Sequence, residues 1–164
     1  MQATGPLVRS MKLCEIFPPE ATIVGLEHHT KPLVVAELVH RLVDLGRIPG
    51  ENEPALVEAF LARERSSTTA LWQGMAMPNV RTSLTDWFAG VLAVDQLGVD
   101  FEAIGGGAVK VLFLLVAPLE SRADCFEVLG KVAAVGKNKS LVLQLAGCRS
   151  AEEVQRVLRE IDRP

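Results

Sequence analysis

Two stretches of the chain are almost uninterrupted in their apolarity. They run from Trp87 through Phe88, Ala89, Gly90, Val91, Leu92 and Ala93 to Val94, and from Val109 to Ala117 with only Lys110 as an exception. Each is far shorter than the roughly 20 apolar residues that span a bilayer. A strand with one wet face alternates apolar and polar side chains, so an unbroken run reads as a strand covered on both faces. Two such strands require apolar layers above and below them. A 164-residue chain that is 49% hydrophobic can supply those layers within one domain.

The rest of the pattern provides the covering layers. Thr22 to Gly25 is a β-branched run that reads as a further strand. Thr30 and Pro32 mark a helix start, and Val35, Leu38, Val39, Leu42 and Leu45 repeat at helical spacing up to Gly46. Asn52 and Pro54 open a second helix with Leu56, Val57, Phe60 and Leu61 as its apolar stripe, closed by Arg63 and Arg65. From Ser66 to Met77 short extended pieces are expected, broken at Gly74 and stopped by Pro78. Asp95 to Gly107 reads as a loop. Ser121 with Asp124 resembles a capping box for a helix carrying Cys125, Val128, Leu129, Val132 and Ala133. A short helix is expected over 140–146. Ser150 with Glu153 forms a second box, ahead of Val154, Val157, Leu158 and Ile161. Strands and helices mixed in this way predict an α/β single-domain sandwich, with a central mixed β-sheet and helices on both faces. The expected domain covers 11–164. Residues 1–10, small and polar without a signal-peptide core, read as a flexible leader of a cytoplasmic protein.

Composition excludes several classes of function. The formal charge of −3 and the absence of a basic stripe speak against nucleic-acid binding. No run is long enough for membrane insertion. Cys14, Cys125 and Cys148 form no CxxC pair and read as reduced thiols. His28 and His29 are adjacent but would point to opposite faces of a strand, so no metal site is expected and no cofactor is implied. Gly105-Gly106-Gly107 precedes a strand and lacks a following Lys-Ser/Thr, so it reads as a turn and not a phosphate loop. Ser66, Ser67, Thr68 and Thr69 lack a neighbouring histidine and read as a polar loop or strand edge. Cys125 falls in the first turn of a helix, where the dipole lowers a thiol pKa, yet its spacing to Val128 and Leu129 favours burial. Arg63 at a helix end either complements the dipole or stands beside an anion site.

The stretch from Ala62 to Asn79 resembles the signature of the enzyme IIA domain of the bacterial phosphotransferase system, in its fructose/mannitol and nitrogen-regulatory branch. That signature reads roughly A-R-E-x-x-x-S-T-x-x-G-N-G-I-A-I-P-H. Arg63, Glu64, Thr69, Gly74, Ala76 and Pro78 match it without a gap, and Met75 and Met77 replace similar apolar residues. Val99-Asp100-Phe101 with Gly106, the run Val111 to Pro118, and Ser150-Ala151-Glu152-Glu153-Val154 resemble further family segments in the same order. The resemblance implies the α/β sandwich already read from periodicity.

The departures bear on function. In the family the histidine after the proline takes up a phosphoryl group from the phosphocarrier protein; here that position is Asn79. A second family histidine falls at Cys125, and the first glycine of G-N-G is Trp72, which would fill space near the pocket. Arg63 matches the arginine beside the family's phosphohistidine. An amide nitrogen is neither basic nor nucleophilic, so the resemblance implies a charge-stabilising pocket without an acceptor. Three functions follow as expectations. The first is a non-phosphorylatable regulatory protein contacting kinases, transporters or transcription regulators. The second is a phosphocarrier using a non-standard acceptor and served by the phosphocarrier protein. The third is an anion or small-ligand sensor. The high apolar content is compatible with a homodimer.

Overall fold

The computed structural model describes residues 11–164; the leader expected over 1–10 lies outside the described residues. In chain order the elements are α1 (Leu13–Ile16), β1 (Thr22–Val24), α2 (Lys31–Asp44), α3 (Glu53–Ser66), β2 (Met75–Ala76), β3 (Asn79–Thr82), β4 (Ala89–Val99), β5 (Val109–Pro118), α4 (Arg122–Gly136), α5 (Lys139–Ala146) and α6 (Ala151–Asp162). The five strands form one mixed sheet in the order β1-β4-β5-β2, with β3 also pairing β5. The β4–β5 pair is antiparallel; β1 runs parallel to β4, and β2 and β3 run parallel to β5.

The two apolar runs form the centre of the sheet, and their side chains divide between two cores. Leu92, Val94, Val111, Phe113 and Leu115 face a layer made by α1, α4, α5 and α6. Val91, Ala93, Leu112, Leu114 and Val116 face the layer of α2 and α3, which supplies Val35, Leu38, Leu42, Leu56 and Phe60. Every one of these residues is buried. Burial of each of the Val, Leu and Phe side chains contributes about 1.5–3 kcal/mol, so both layers are needed to hold the sheet. Phe17 closes one core edge-on to Phe113, with ring centres 5.1 Å apart. The start of α1 is tied to the end of α6 where the Asp162 carboxylate accepts the N–H groups of Leu13 (2.8 Å) and Cys14 (2.9 Å).

The structure corrects three expectations. First, β4 does not end at Val94; it runs to Val99 through a register shift against β5. The buried Asp95 holds this irregular stretch. Its Oδ1 accepts the N–H groups of Leu97 and Gly98, both at 2.9 Å, and its Oδ2 accepts the N–H of Leu26 at 2.9 Å. The carboxylate thus replaces partners that a regular ladder would provide. Second, Ser121 precedes α4 without a side-chain cap hydrogen bond, so no capping box forms there. An Asp is one methylene shorter than the Glu that the box requires. At α6 the serine half of the box engages, with Ser150 Oγ accepting the Glu153 N–H at 3.1 Å, while the Glu153 carboxylate accepts the N–H of Arg149, one residue before the cap, at 2.7 Å. Third, α1 has no counterpart in the sequence reading, because four residues carry no resolvable period.

Burial alone would push the Asp95 carboxyl upward, but hydrogen bonds from Leu26, Gly98 and His29 outweigh it and hold the pKa below its ordinary value. The unfolded chain therefore takes up this proton first as pH falls. The stabilisation is complete above about pH 4 and is lost as pH drops through the folded-state value. Asp95→Ala is expected to destabilise the fold by about 3 kcal/mol in urea titration, because buried N–H groups are left unpaired. Asp95→Asn is expected to flatten the acid limb of the stability curve.

Candidate functional site

Pro78 has no N–H, and the edge strand beside β5 breaks there into β2 and β3. Contact with β5 continues through the proline carbonyl, which accepts the Leu115 N–H at 2.9 Å. Directly after the break, the half-buried Asn79 turns its side chain back, and Nδ2 donates to Met77 O at 2.9 Å. Arg81 lies two residues on, on the same side of β3. It donates to Leu119 O at 2.9 Å.

Asn79, Arg81 and Leu119 line a surface cleft of about 490 Å³. The last turn of α3 contributes Arg63, which donates to Ser67 O at 2.7 Å. Both readings of that arginine therefore meet in one residue: it satisfies a carbonyl just past the helix end and it lines the cleft. The first turn of α4 contributes Arg122 and Cys125, and Phe126 and Leu119 complete the rim. The Arg122 guanidinium stands 6.0 Å from the centre of the Phe126 ring. Arg63, Asn79 and Cys125, which sequence reasoning singled out, thus share one cleft. Arg81 and Arg122 were missed. Their signals were spacing: two residues after Asn79 on an extended segment, and one helical turn before Cys125.

Chemically the cleft holds donors and cations but no basic nitrogen. Burial pushes the Cys125 thiol above its ordinary pKa, with Arg81 acting against the rise. Burial thus overrides the dipole effect expected at a helix start. Cys148 is also raised by burial, and burial with the Asp162 hydrogen bond brings Cys14 to about 11. None of the three histidines lines the cleft. His28 contacts Glu37 at 3.0 Å, His29 contacts Asp95 at 3.2 Å, and His40 contacts Glu53 at 2.7 Å. The Glu53 hydrogen bond raises the pKa of His40. Among the described residues, no three His, Cys, Asp or Glu side chains converge as a metal site. No helix among them is long and apolar enough to cross a membrane.

Other motifs take structural roles. The buried Glu64 accepts the Thr69 hydroxyl at 2.6 Å, the Thr69 N–H at 3.1 Å and the Thr68 hydroxyl at 3.2 Å. It also pairs with Lys31 at 3.4 Å. The Ser/Thr segment is therefore a clasp on the end of α3. Gly105, Gly106 and Gly107 all have positive φ and form an exposed turn. Trp72 is not in the cleft: it packs on Gly136 of α4, where an added Cβ would come within 2.5 Å of its ring.

The family model described as phosphoenolpyruvate-dependent sugar phosphotransferase system, EIIA 2, matches residues 15–161. A nitrogen regulatory protein from Bradyrhizobium diazoefficiens is 30% identical over 148 residues, covering 90% of this chain and 95% of the relative. The crystal structure of the nitrogen regulatory protein IIA-Ntr from Neisseria meningitidis superposes with a TM-score of 0.79 at 28% identity, covering 88% of this chain and 97% of that one. The mannitol enzyme IIA of Escherichia coli, solved in complex with phosphorylated enzyme IIB, superposes with a TM-score of 0.71 at 21% identity over 86% of this chain and 95% of that one, which establishes likeness of fold.

Cys125 is expected to alkylate with iodoacetamide at pH 8 at least about tenfold more slowly in the folded protein than in urea, because the thiolate is disfavoured and shielded. Peptide mass mapping over time checks this. Fast modification of the folded chain would show an activated thiol in the cleft.

Proposed function

The chain belongs to the EIIA 2 family of the phosphoenolpyruvate-dependent sugar phosphotransferase system, and on that footing we propose that it is a regulatory member acting by protein–protein contact, with no phosphoryl group carried at residue 79. The observation that carries this reading is Asn79 itself. Its amide nitrogen is delocalised into the carbonyl and already donates to Met77 O. Phosphoryl transfer to a protein needs a nucleophile; positioning and charge stabilisation by Arg63, Arg81 and Arg122 do not replace one. Several of its relatives are named nitrogen regulatory proteins, which supports a signalling role, while others are named fructose-specific components. The complex of the mannitol enzyme IIA with its phosphorylated enzyme IIB supports a protein as the partner. Kinases, transporters and transcription regulators in the cytoplasm are the partner classes this reading names.

A phosphocarrier with a non-standard acceptor is less well supported. Cys125 is buried with a raised pKa, and the histidines sit away from the cleft, each against a carboxylate.

The test is restoration of the acceptor. Native protein and Asn79→His are incubated with phosphoenolpyruvate, enzyme I and the phosphocarrier protein, and intact masses are read. The variant is expected to gain one phosphoryl group and the native chain none. A phosphorylated native chain would overturn the reading. Failure of both would mean that the cleft is no longer presented to a phosphoryl donor.

A further inference from the structure

A second depression, of about 590 Å³, lies between α2 and α3 and shares no residue with the cleft. Its floor is apolar: Leu33 and Ala36 come from α2, Pro54 and Val57 from α3. Leu33 is 52% exposed. Along α2 the lining residues Leu33, Ala36, Glu37 and His40 follow the i, i+3, i+4, i+7 spacing of one helical face, and Pro54, Val57 and Glu58 begin the same spacing on α3. Leu33 to His40 is seven steps of about 1.5 Å, so the groove runs about 10 Å, or two helical turns. A groove between two packed helices is the shape into which a third, amphipathic helix lays its apolar side.

The rim sets the chemistry of that helix. Glu27, Glu37, Glu53 and Glu58 line the groove, and among the described residues no Lys or Arg does. The Glu37 carboxylate is held by the N–H groups of Glu27 (3.1 Å) and His28 (3.0 Å), and Glu53 by His40 Nδ1 at 2.7 Å. With the imidazoles of His28 and His40 both protonated, the carboxylates of the lining still outnumber its cations by four to two. Arg65 reaches Glu58 from outside the lining at 2.6 Å, but the two side chains are 64% and 66% exposed, and a pair so exposed contributes little and exchanges readily for another cation. Carboxylates beside an apolar floor repel nucleic acid and anionic lipid and attract Lys and Arg.

We infer that the α2–α3 groove is a docking site for a basic amphipathic helix of a partner protein, whose apolar side covers Leu33 and Val57 and whose Lys or Arg side chains meet Glu27, Glu53 and Glu58. This goes beyond the reading of Asn79 and does not depend on it, because groove and cleft share no residue.

The test titrates the native chain into three fluorescein-labelled peptides of equal length and reads anisotropy: an amphipathic Leu/Lys helix, the same composition in an order that removes the apolar face, and a Leu/Glu helix. The amphipathic Leu/Lys peptide is expected to bind, less tightly as salt rises, and the other two at least about tenfold more weakly. Amide resonances of Leu33, Ala36 and Val57 are expected to shift on binding, and those of Asn79 and Arg81 to stay in place. Glu27→Gln/Glu58→Gln and Leu33→Ser are each expected to bind at least about fivefold more weakly, while Glu127→Gln/Glu152→Gln, which removes the same charge from the opposite helical layer, leaves affinity unchanged. All five positions are exposed, so the variants keep the fold. Absence of binding, equal binding of the reordered peptide, equal loss in the two double variants, or shifts centred on Asn79 would overturn the inference. Self-association of the native chain that Leu33→Ser abolishes, without peptide binding, would overturn the partner and assign the groove to a second copy. Whether residue 79 carries a phosphoryl group is decided separately by the intact-mass experiment, so failure here leaves that reading standing.

Discussion

The backbone of β5 is the constraint on which the other elements depend. It pairs antiparallel with β4 on one side and parallel with β2 and β3 on the other. Its side chains divide between two cores, so each helical layer is anchored to it. On the β2/β3 side its ladder breaks at Pro78, and that break creates the site. Without a proline N–H the edge strand cannot continue regularly, and the chain re-enters the ladder one residue later with Asn79 folded back on Met77 O. The residue after the proline is thereby fixed beside the start of α4, which follows directly from the end of β5.

Around that point the molecule has an electrostatic frame, with Asn79 where the family resemblance places a histidine. The frame reaches well beyond the cleft. Glu64 is buried, holds Thr68 and Thr69, and pairs with Lys31, which also stands 4.9 Å from the centre of the Phe101 ring. A buried ion pair of this kind contributes little net stability, but removal of one member leaves a buried charge unpaired, so it fixes geometry. It sets where α3 ends and therefore where Arg63 reaches the cleft. The match of Arg63-Glu64 to the family signature has two separable physical causes: the glutamate shapes the backbone and the arginine faces the cleft.

The parts of the fold legible in the sequence are those where burial alone decides. Continuous apolarity marked the centres of β4 and β5, and period 3.6 marked α2, α3, α4 and α6. What was not legible depends on tertiary partners. Nothing local distinguishes Asp95 in a strand irregularity from an aspartate opening a loop, because its partner Leu26 lies far away in the chain. Ser121 carries the signal of a cap and does not act as one. In the cleft, Asn79, Cys125 and Arg63 were singled out because the family resemblance placed them. Arg81 and Arg122 were not, because an exposed arginine on a strand or a first helical turn looks like any solvated charge. Only the fold shows that three of them share one cleft with no carboxylate in its lining.

The most direct measurement of the central claim is the phosphorylation state of the native protein in the cells that make it. The chain is recovered at alkaline pH, where phosphohistidine survives, and its intact mass is read during growth on preferred and on poor nutrients. A single unphosphorylated species under both conditions is the expected result. A species heavier by one phosphoryl group, varying with nutrient supply, would show that the protein is a phosphocarrier after all and that its acceptor lies outside the arginine cleft or at a residue assigned here to the core.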